Sequence, residues 1–179
     1  MLISEEYRNQ CRLLHNLQAG WGEGDKREVI KQIQLAAMAN TIDILDYGCG
    51  KGEFGKNYPW PIKEYDPGIT GKEAGNVPAE FVICHDVLEH IEPEYLDNVL
   101  QDLHRCTLRV GYFAIGCSPA EAILPDGRNA HLIIKPASWW KEKLNKYFHL
   151  LSYLEIFKDV GKMISEAQAI IVPKKDIEC

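Results

Sequence analysis

The sequence predicts an α/β protein with a Rossmann-like, doubly wound and mostly parallel sheet that ends in a C-terminal antiparallel hairpin. From residue 42 onward, apolar runs suited to strands alternate with segments of helical spacing, which is typical of a parallel sheet covered by helices on both faces. A run of closely spaced glycines follows the first strand, and only a short connection separates the last two. A connection that short forms a hairpin, because parallel neighbours need a longer crossover.

Two helices are predicted ahead of the first strand. Between Glu5 and Leu17, apolar residues recur at intervals of three and four, and Ser4 is available as N-cap. Residues 25–39 have a wide apolar side and predict a second helix. We therefore expect a single domain over 1–179, made of a helical N-terminal extension, 1–40, and a Rossmann-like core, 41–179.

The core has a predictable element order with one shortened region. Pro59 and Pro61 limit the first crossover helix, and no strand with its own helix is evident between Pro67 and Pro78. We therefore expect a sheet that is trimmed in the region of its second and third strands. The predicted strands are 42–46, 62–66, 80–85, 110–116, 149–157 and 167–172. One short helix is predicted to begin near Glu53, and two longer helices are predicted over 93–106 and 137–147.

Composition excludes some classes of protein. The chain has 179 residues, 46% of them hydrophobic, which suffices for one full core. No apolar run is long enough for a membrane helix, and cysteines without a C-x-x-C pair favour a reducing, cytoplasmic location. A formal net charge of −6 makes nucleic acid a less expected partner, because nonspecific affinity for it comes from lysine and arginine.

The most informative stretch is 42–52, where an apolar strand leads into Asp46 and then Gly48, Gly50 and Gly52. Glycines allow a sharp turn and let a ligand approach the bare backbone. The spacing is G-x-G-x-G, whereas a dinucleotide-binding loop has G-x-G-x-x-G, which disfavours a nicotinamide-dependent oxidoreductase. A nucleotide-cofactor site also needs a carboxylate at the end of the next strand to bind the ribose, and Asp66 stands twenty residues after Asp46.

With the acid two residues ahead of the first glycine, this loop resembles motif I of the class I S-adenosylmethionine-dependent methyltransferases. The resemblance covers about residues 42–172. It implies S-adenosylmethionine as cofactor, with Asp86 and Val87 near its adenine and methionine portions. The acid that often recognises adenine after the third strand is absent from this sequence. The cofactor-binding residues implied are Asp46, Tyr47, Gly48, Cys49, Gly50, Asp66, Asp86 and Val87.

A second resemblance lies in Asp86-x-x-Glu89-His90, which follows the strand at 80–85. Similar runs bind a divalent ion in the small-RNA 2′-O-methyltransferases and the ubiquinone-pathway O-methyltransferases, where the last ligand is a histidine in a later loop. In a helical turn, these three side chains would share one face, and His131 is the histidine of the later loop. The resemblance implies Mn²⁺ or Mg²⁺ held by Asp86, Glu89, His90 and His131, with His131, Glu89 and His90 as catalytic residues.

Two readings of the run remain open. Glu89 and His90 could instead cap the following helix, as in metal-free members of the family. Without a metal, His131 or His85 could act as general base, since an imidazole titrates near neutrality.

The function predicted is methyl transfer from S-adenosylmethionine to an oxygen of a small molecule or nucleotide, with possible assistance from a divalent metal. One alternative is RNA-end 2′-O methylation, which salt sensitivity would distinguish. Another is a non-catalytic S-adenosylmethionine-binding protein, which would not need the set Glu89, His90 and His131. No membrane partner is expected.

Overall fold

Six strands form one sheet in the computed structural model, which describes residues 1–18, 20–23, 26–74, 76–159 and 164–175. The strands are β1 (Ile44–Tyr47), β2 (Lys63–Tyr65), β3 (Ala79–His85), β4 (Thr107–Gly116), β5 (Phe148–Asp159) and β6 (Ile164–Pro173). Their spatial order is β2-β1-β3-β4-β6-β5. The first four strands are mutually parallel, whereas β6 runs antiparallel to both β4 and β5. The predicted Rossmann-like fold and C-terminal hairpin are therefore confirmed.

Five helices accompany the sheet in the described part of the chain: α1 (Glu5–Leu17), α2 (Lys26–Ala39), α3 (Glu53–Asn57), α4 (Leu96–Cys106) and α5 (Ala137–Leu144). The Ser4 hydroxyl accepts a hydrogen bond from the Tyr7 amide at 3.0 Å, as predicted for an N-cap. In α4 the buried residues recur at helical spacing, which gives the helix one apolar side against the sheet. Among the described residues, no helix has the length and apolarity needed to cross a membrane.

Some predicted boundaries were wrong. The helix predicted over 93–106 begins with a separate 3-10 turn, Pro93–Tyr95, and α4 starts at Leu96. The last two strands are longer than predicted because they pair with each other along almost their whole length. Part of the short connection predicted between the last two strands, residues 160–163, lies outside the described residues.

The core lies on both faces of the sheet. One face is covered by α4 and α5, whose Leu100, Leu103 and Trp140 are fully buried, and Tyr7 of α1 joins the same cluster. On the other face, α2 and α3 pack against β1, β3 and β4 in a smaller cluster that includes Phe54. This layering leaves the carboxyl ends of β1, β2 and β3 at one edge, where open α/β folds bind their ligands.

Candidate functional site

The glycine loop follows β1 directly. Gly48, Gly50 and Gly52 all have positive φ, at 77°, 51° and 78°, a conformation that glycine adopts without strain. A Cβ on Gly48 would lie 2.3 Å from a methyl carbon of Val87. The loop therefore packs directly on the segment after β3, and a side chain at position 48 would collide with Val87.

Asp66 ties the same loop to the end of β2. Its two carboxylate oxygens accept hydrogen bonds from the amides of Gly50, at 2.9 Å, and Gly68, at 2.8 Å. The carbonyl of Tyr65 accepts from the amides of Gly48 and Cys49, at 2.7 and 3.0 Å. The carboxylate predicted from the twenty-residue spacing therefore contacts the glycine loop.

Asp46 is buried at the end of β1, with 6% of its surface exposed. Burial, and next the carboxylate of Glu64, raise its pKa to about 7, while Lys72 opposes the shift. Of the other predicted cofactor residues, Tyr47 donates its hydroxyl to Asp102 at 2.9 Å. Cys49 is also buried, and its burial raises the pKa of the thiol.

A cavity of about 630 Å³ opens at this edge of the sheet, within the usual size range of small-molecule sites. All eight predicted cofactor residues line it, as do His90 and His131. The described residues around it include seven aspartates and glutamates and no lysine or arginine. The cavity is therefore electronegative, which suits a ligand that carries a sulfonium and an ammonium and disfavours phosphate.

Asp86, His90 and His131 meet in this cavity, and one ligand atom of each lies within 4.8 Å of the others. Asp86 has a positive φ of 59°, which is uncommon for a residue with a side chain and occurs often at functional sites. His90 ends the 3-10 turn Leu88–His90. His131 is far from Asp86 and His90 in sequence. It reaches them because the loop after β4 folds back over the carboxyl edge of the sheet.

Hydrogen bonds define the tautomers of both histidines. Nδ1 of His90 lies 2.9 Å from the carbonyl oxygen of Ala130, and Nδ1 of His131 lies 2.5 Å from that of Ser118. A carbonyl only accepts, so each Nδ1 carries a proton, and in the neutral ring the lone pair lies on Nε2. Burial also lowers the pKa of His90, which keeps its ring neutral. Such partners are typical of metal-binding histidines.

Glu89 is not one of the three residues whose ligand atoms converge, although its carboxyl lies within hydrogen-bonding reach of Asp86. The side chain of Glu89 is fully buried, and one oxygen accepts a hydrogen bond from the Gly116 amide. Its Oε2 meets no donor among the described residues, and a proton on Glu89 would complete its contact with the Asp86 carboxylate. Burial, and next the charge of Asp86, raise the pKa of Glu89. Its role as a metal ligand stays a prediction.

The capping interpretation is not supported by these contacts. Glu89 bonds to Gly116 in β4, and His90 bonds to Ala130. The 3-10 turn at Pro93–Tyr95 and α4 both start without a side-chain cap. The pair instead connects the end of β3 to the loop after β4.

The N-terminal extension closes one side of the cavity. The ring of Trp21 meets that of His90 edge-on, with centroids 5.6 Å apart. The carbonyl of Gly22 accepts a hydrogen bond from the Lys51 amide at 2.8 Å. A segment ahead of the core thus covers the glycine loop.

Two lining residues, Glu28 and Gln32 of α2, were missed by the sequence analysis. Gln32 Nε2 lies 2.8 Å from Nδ1 of His85. His85 therefore lies beside α2 and not beside His131. One signal in the sequence could have indicated them. Glu28 and Gln32 are polar residues four positions apart, so they share a helix face with the buried Val29 and Ala36.

This sheet, with a glycine loop after β1 and a carboxylate after β2, defines the class I methyltransferase fold. No protein-family model matches the sequence, and no curated protein matches it. Similar solved structures include 1,6-didemethyltoxoflavin-N1-methyltransferase from Burkholderia thailandensis, with bound 1,6-didemethyltoxoflavin and S-adenosylhomocysteine. It is 13% identical, with a TM-score of 0.64 over 98% of this chain and 92% of that chain.

Two further structures have the same fold. The N-methyltransferase NodS from Bradyrhizobium japonicum, in complex with S-adenosylhomocysteine, is 10% identical, with a TM-score of 0.62 over 96% of this chain and 100% of that one. The methyltransferase domain of a bacterial protein, CtHen1, is 12% identical, with a TM-score of 0.56 over 82% of this chain and 97% of that one. At these identities the likeness establishes the fold.

Proposed function

We propose that this protein is an S-adenosylmethionine-dependent methyltransferase that methylates an oxygen of a small molecule with the help of a divalent metal. The observation that supports this proposal is one cavity that joins the glycine loop and Asp66 to the group Asp86, His90 and His131. A protein that only binds the cofactor has no need of that group.

The cofactor is held by the loop after β1 and by the ends of the neighbouring strands. Asp66 already fixes the loop through the Gly50 amide, and its remaining lone pairs are suited to ribose hydroxyls. Gly48 and Gly50 expose backbone to the ligand, while Asp46 adds negative charge near its ammonium. Asp86 and Val87 border the cavity on the β3 side, where they meet the rest of the cofactor.

The residues of the second group fit a divalent cation. Two imidazoles with free Nε2 atoms and an ionised carboxylate form a donor set of the kind that binds Mn²⁺ or, with more water, Mg²⁺. The unpartnered Oε2 of Glu89 is a fully buried atom that a cation or a proton could satisfy. When bound, such a metal supplies Lewis-acid stabilisation of the acceptor's developing negative charge.

The protein's own groups position the acceptor and its proton. His131 is held by Ser118 with Nε2 directed away from that bond, so Nε2 can accept a proton from the acceptor hydroxyl if no metal occupies it. Trp21 and residues 120–122 of the loop after β4 line the cavity. Transfer is then a direct displacement from the sulfonium to the oxygen.

The acidic cavity favours a small molecule over an RNA end. An RNA acceptor would bring phosphates to a site whose described lining lacks lysine and arginine, and phosphate binding depends on those residues. The same electrostatic argument disfavours a nucleotide with several phosphates.

The test supplies methyl-labelled S-adenosylmethionine and a cell extract divided into small-molecule, RNA, DNA and protein pools, with and without Mn²⁺. We expect label in the small-molecule pool that depends on the metal and is lost in His131→Ala. Label in RNA would support end methylation instead. Bound cofactor with no label in any pool would contradict the proposal. Glu142→Gln, at an exposed position of α5, is the control variant.

A further inference from the structure

One side of α1 forms part of the cavity wall. Tyr7, Cys11 and His15 follow one another at intervals of four residues and all line the cavity, because residues at this spacing share a helix face. A Cβ on Gly68 would lie 2.8 Å from that of Cys11, so α1 packs directly on the turn after β2. The amide of Gly68 donates to Asp66. The helix therefore lies against the turn that carries the carboxylate proposed for the ribose.

The start of α1 is bound to the segment after β3 through Glu92. The Ser4 amide donates to Oε2 of Glu92 at 2.7 Å, and the Ser4 hydroxyl donates to Oε1 at 2.6 Å. Both carboxylate oxygens are thus used, and hydrogen bonds to a charged acceptor are the strong ones. The same hydroxyl accepts from the Tyr7 amide. Ser4 therefore begins the helix and joins it to Glu92 at once.

The other polar contacts of α1 are weaker candidates for this role. Arg12 pairs with Glu73 at 3.1 Å, and both side chains are 35% exposed. Gln10 contacts Asp126 in an exposed position. Exposed pairs of this kind contribute little to stability, whereas Glu92 is only 7% exposed. Among these contacts, the one with Glu92 is the best placed to hold the helix.

Burial of apolar side chains also attaches this segment. Ile3 and Tyr7 are buried in the core cluster that contains Leu96 and Val99 of α4. This attraction is nondirectional, so it favours contact without fixing one position of the helix. The two hydrogen bonds to Glu92 are directional and determine where α1 begins.

We propose that Glu92 is a positioning residue for the cofactor, because it holds α1, through Ser4, as the wall over the ribose end of bound S-adenosylmethionine. Glu92 itself lies outside the lining of the cavity, so it acts through the helix and does not touch the cofactor. The Ser4–Glu92 contact and the bound cofactor then stabilise the same position of α1. This inference rests on the proposed function and adds a residue that controls cofactor affinity.

The first test measures the affinity for S-adenosylhomocysteine by calorimetry. In Glu92→Ala we expect binding about tenfold weaker, because affinity falls with the fraction of molecules whose wall is in place. Ser4→Ala loses one of the two bonds to Glu92 and should show a smaller loss. The double variant should bind no more weakly than Glu92→Ala, because both changes disrupt one contact. Ser4→Thr keeps a hydroxyl and should bind like the wild type.

The matched control is Tyr147→Phe. It also removes a hydroxyl that donates to a carboxylate, that of Asp97 at 2.7 Å, but Tyr147 does not line the cavity. We expect its affinity for S-adenosylhomocysteine to stay within about twofold of the wild type, even where its melting temperature falls. A purely structural contribution of Glu92 would give the same result as this control.

The second test follows hydrogen exchange of the α1 amides by mass spectrometry. In the wild type, S-adenosylhomocysteine should slow exchange over Glu5–Leu17, because ligand and wall stabilise each other. In ligand-free Glu92→Ala, exchange should rise in α1 while the amides of β1 and β3 stay protected, since a local opening leaves the rest of the fold intact.

Three results would overturn the inference. They are wild-type affinity for S-adenosylhomocysteine in Glu92→Ala, an equal loss of affinity in Tyr147→Phe, and faster exchange across the whole sheet instead of in α1. If Glu92→Ala does not fold, Ser4→Ala decides, and wild-type affinity in that variant contradicts the positioning role. A wild-type protein that does not bind S-adenosylhomocysteine would contradict the proposed function itself.

Discussion

Asp66 accepts a hydrogen bond from the Gly50 amide at 2.9 Å, which joins the end of β2 to the loop after β1. Its second oxygen accepts from the Gly68 amide. One carboxylate therefore shapes the loop even before a ligand is bound. In the proposed enzyme, the same group also meets the ribose.

Asp66→Asn should weaken cofactor binding and destabilise the loop. An amide nitrogen in place of one oxygen would face a backbone N–H, which leaves a buried donor unsatisfied at a cost of about 1 to 3 kcal/mol. We expect S-adenosylhomocysteine to bind at least about tenfold more weakly by calorimetry, with a lower melting temperature. Unchanged affinity would remove Asp66 from the cofactor site.

Gly48→Ala should be more damaging than Gly71→Ala. Both glycines have positive φ, at 77° and 90°, so each alanine incurs a similar backbone strain of about 1 to 2 kcal/mol. Only at Gly48 would the new methyl group also meet Val87, at 2.3 Å, whereas Gly71 faces open space. Thermal unfolding should show the larger loss for Gly48→Ala, and adding Val87→Ala should recover part of it. Equal losses for the two alanines would contradict this close approach.

Most of the fold was predictable because its signals are local. The alternation of strand and helix, and the glycines after β1, follow from residue spacing alone. The ends of β4, β5 and β6 were less predictable, because their added residues are paired across strands. The pairing of His149 with Val172, for example, depends on the sheet register.

The site was predictable where spacing along the chain determines geometry. Asp66 was found by its distance from Asp46, and Asp86 and His90 by their separation of four residues. The hydrogen bond from the Gly116 amide to the Glu89 carboxylate joins residues 27 positions apart, and spacing along the chain cannot show such a contact. Glu28 lies far from β3 in sequence and reaches the cavity only through the packing of α2.

Asp46→Asn should stabilise the protein in a pH-dependent way. The folded-state pKa of Asp46, about 7, is above its unfolded value of about 3.9. The folded protein therefore holds this proton more tightly, and stability is lost as pH rises from about 4 to about 7, by up to about 4 kcal/mol.

At pH 8 the melting temperature of Asp46→Asn should exceed that of the wild type, and the difference should vanish near pH 4. S-adenosylmethionine should bind the variant more weakly, because the negative charge is lost. A difference in melting temperature that is the same at both pH values would show that desolvation of Asp46 is not its cause.

Glu89→Gln should separate the structural role of Glu89 from its role as a ligand. Because burial and Asp86 raise the pKa of its carboxyl, we expect Glu89 to be neutral in the metal-free protein. Glutamine can keep the hydrogen bond from Gly116, so the free energy of unfolding should change by less than about 1 kcal/mol. Mn²⁺ affinity, measured by calorimetry, should fall about tenfold or more. In the wild type, affinity should rise with pH, because the metal must displace the Glu89 proton. If Glu89→Gln binds Mn²⁺ as tightly as the wild type, the ligands are Asp86, His90 and His131 without Glu89, and His131→Ala should still abolish binding.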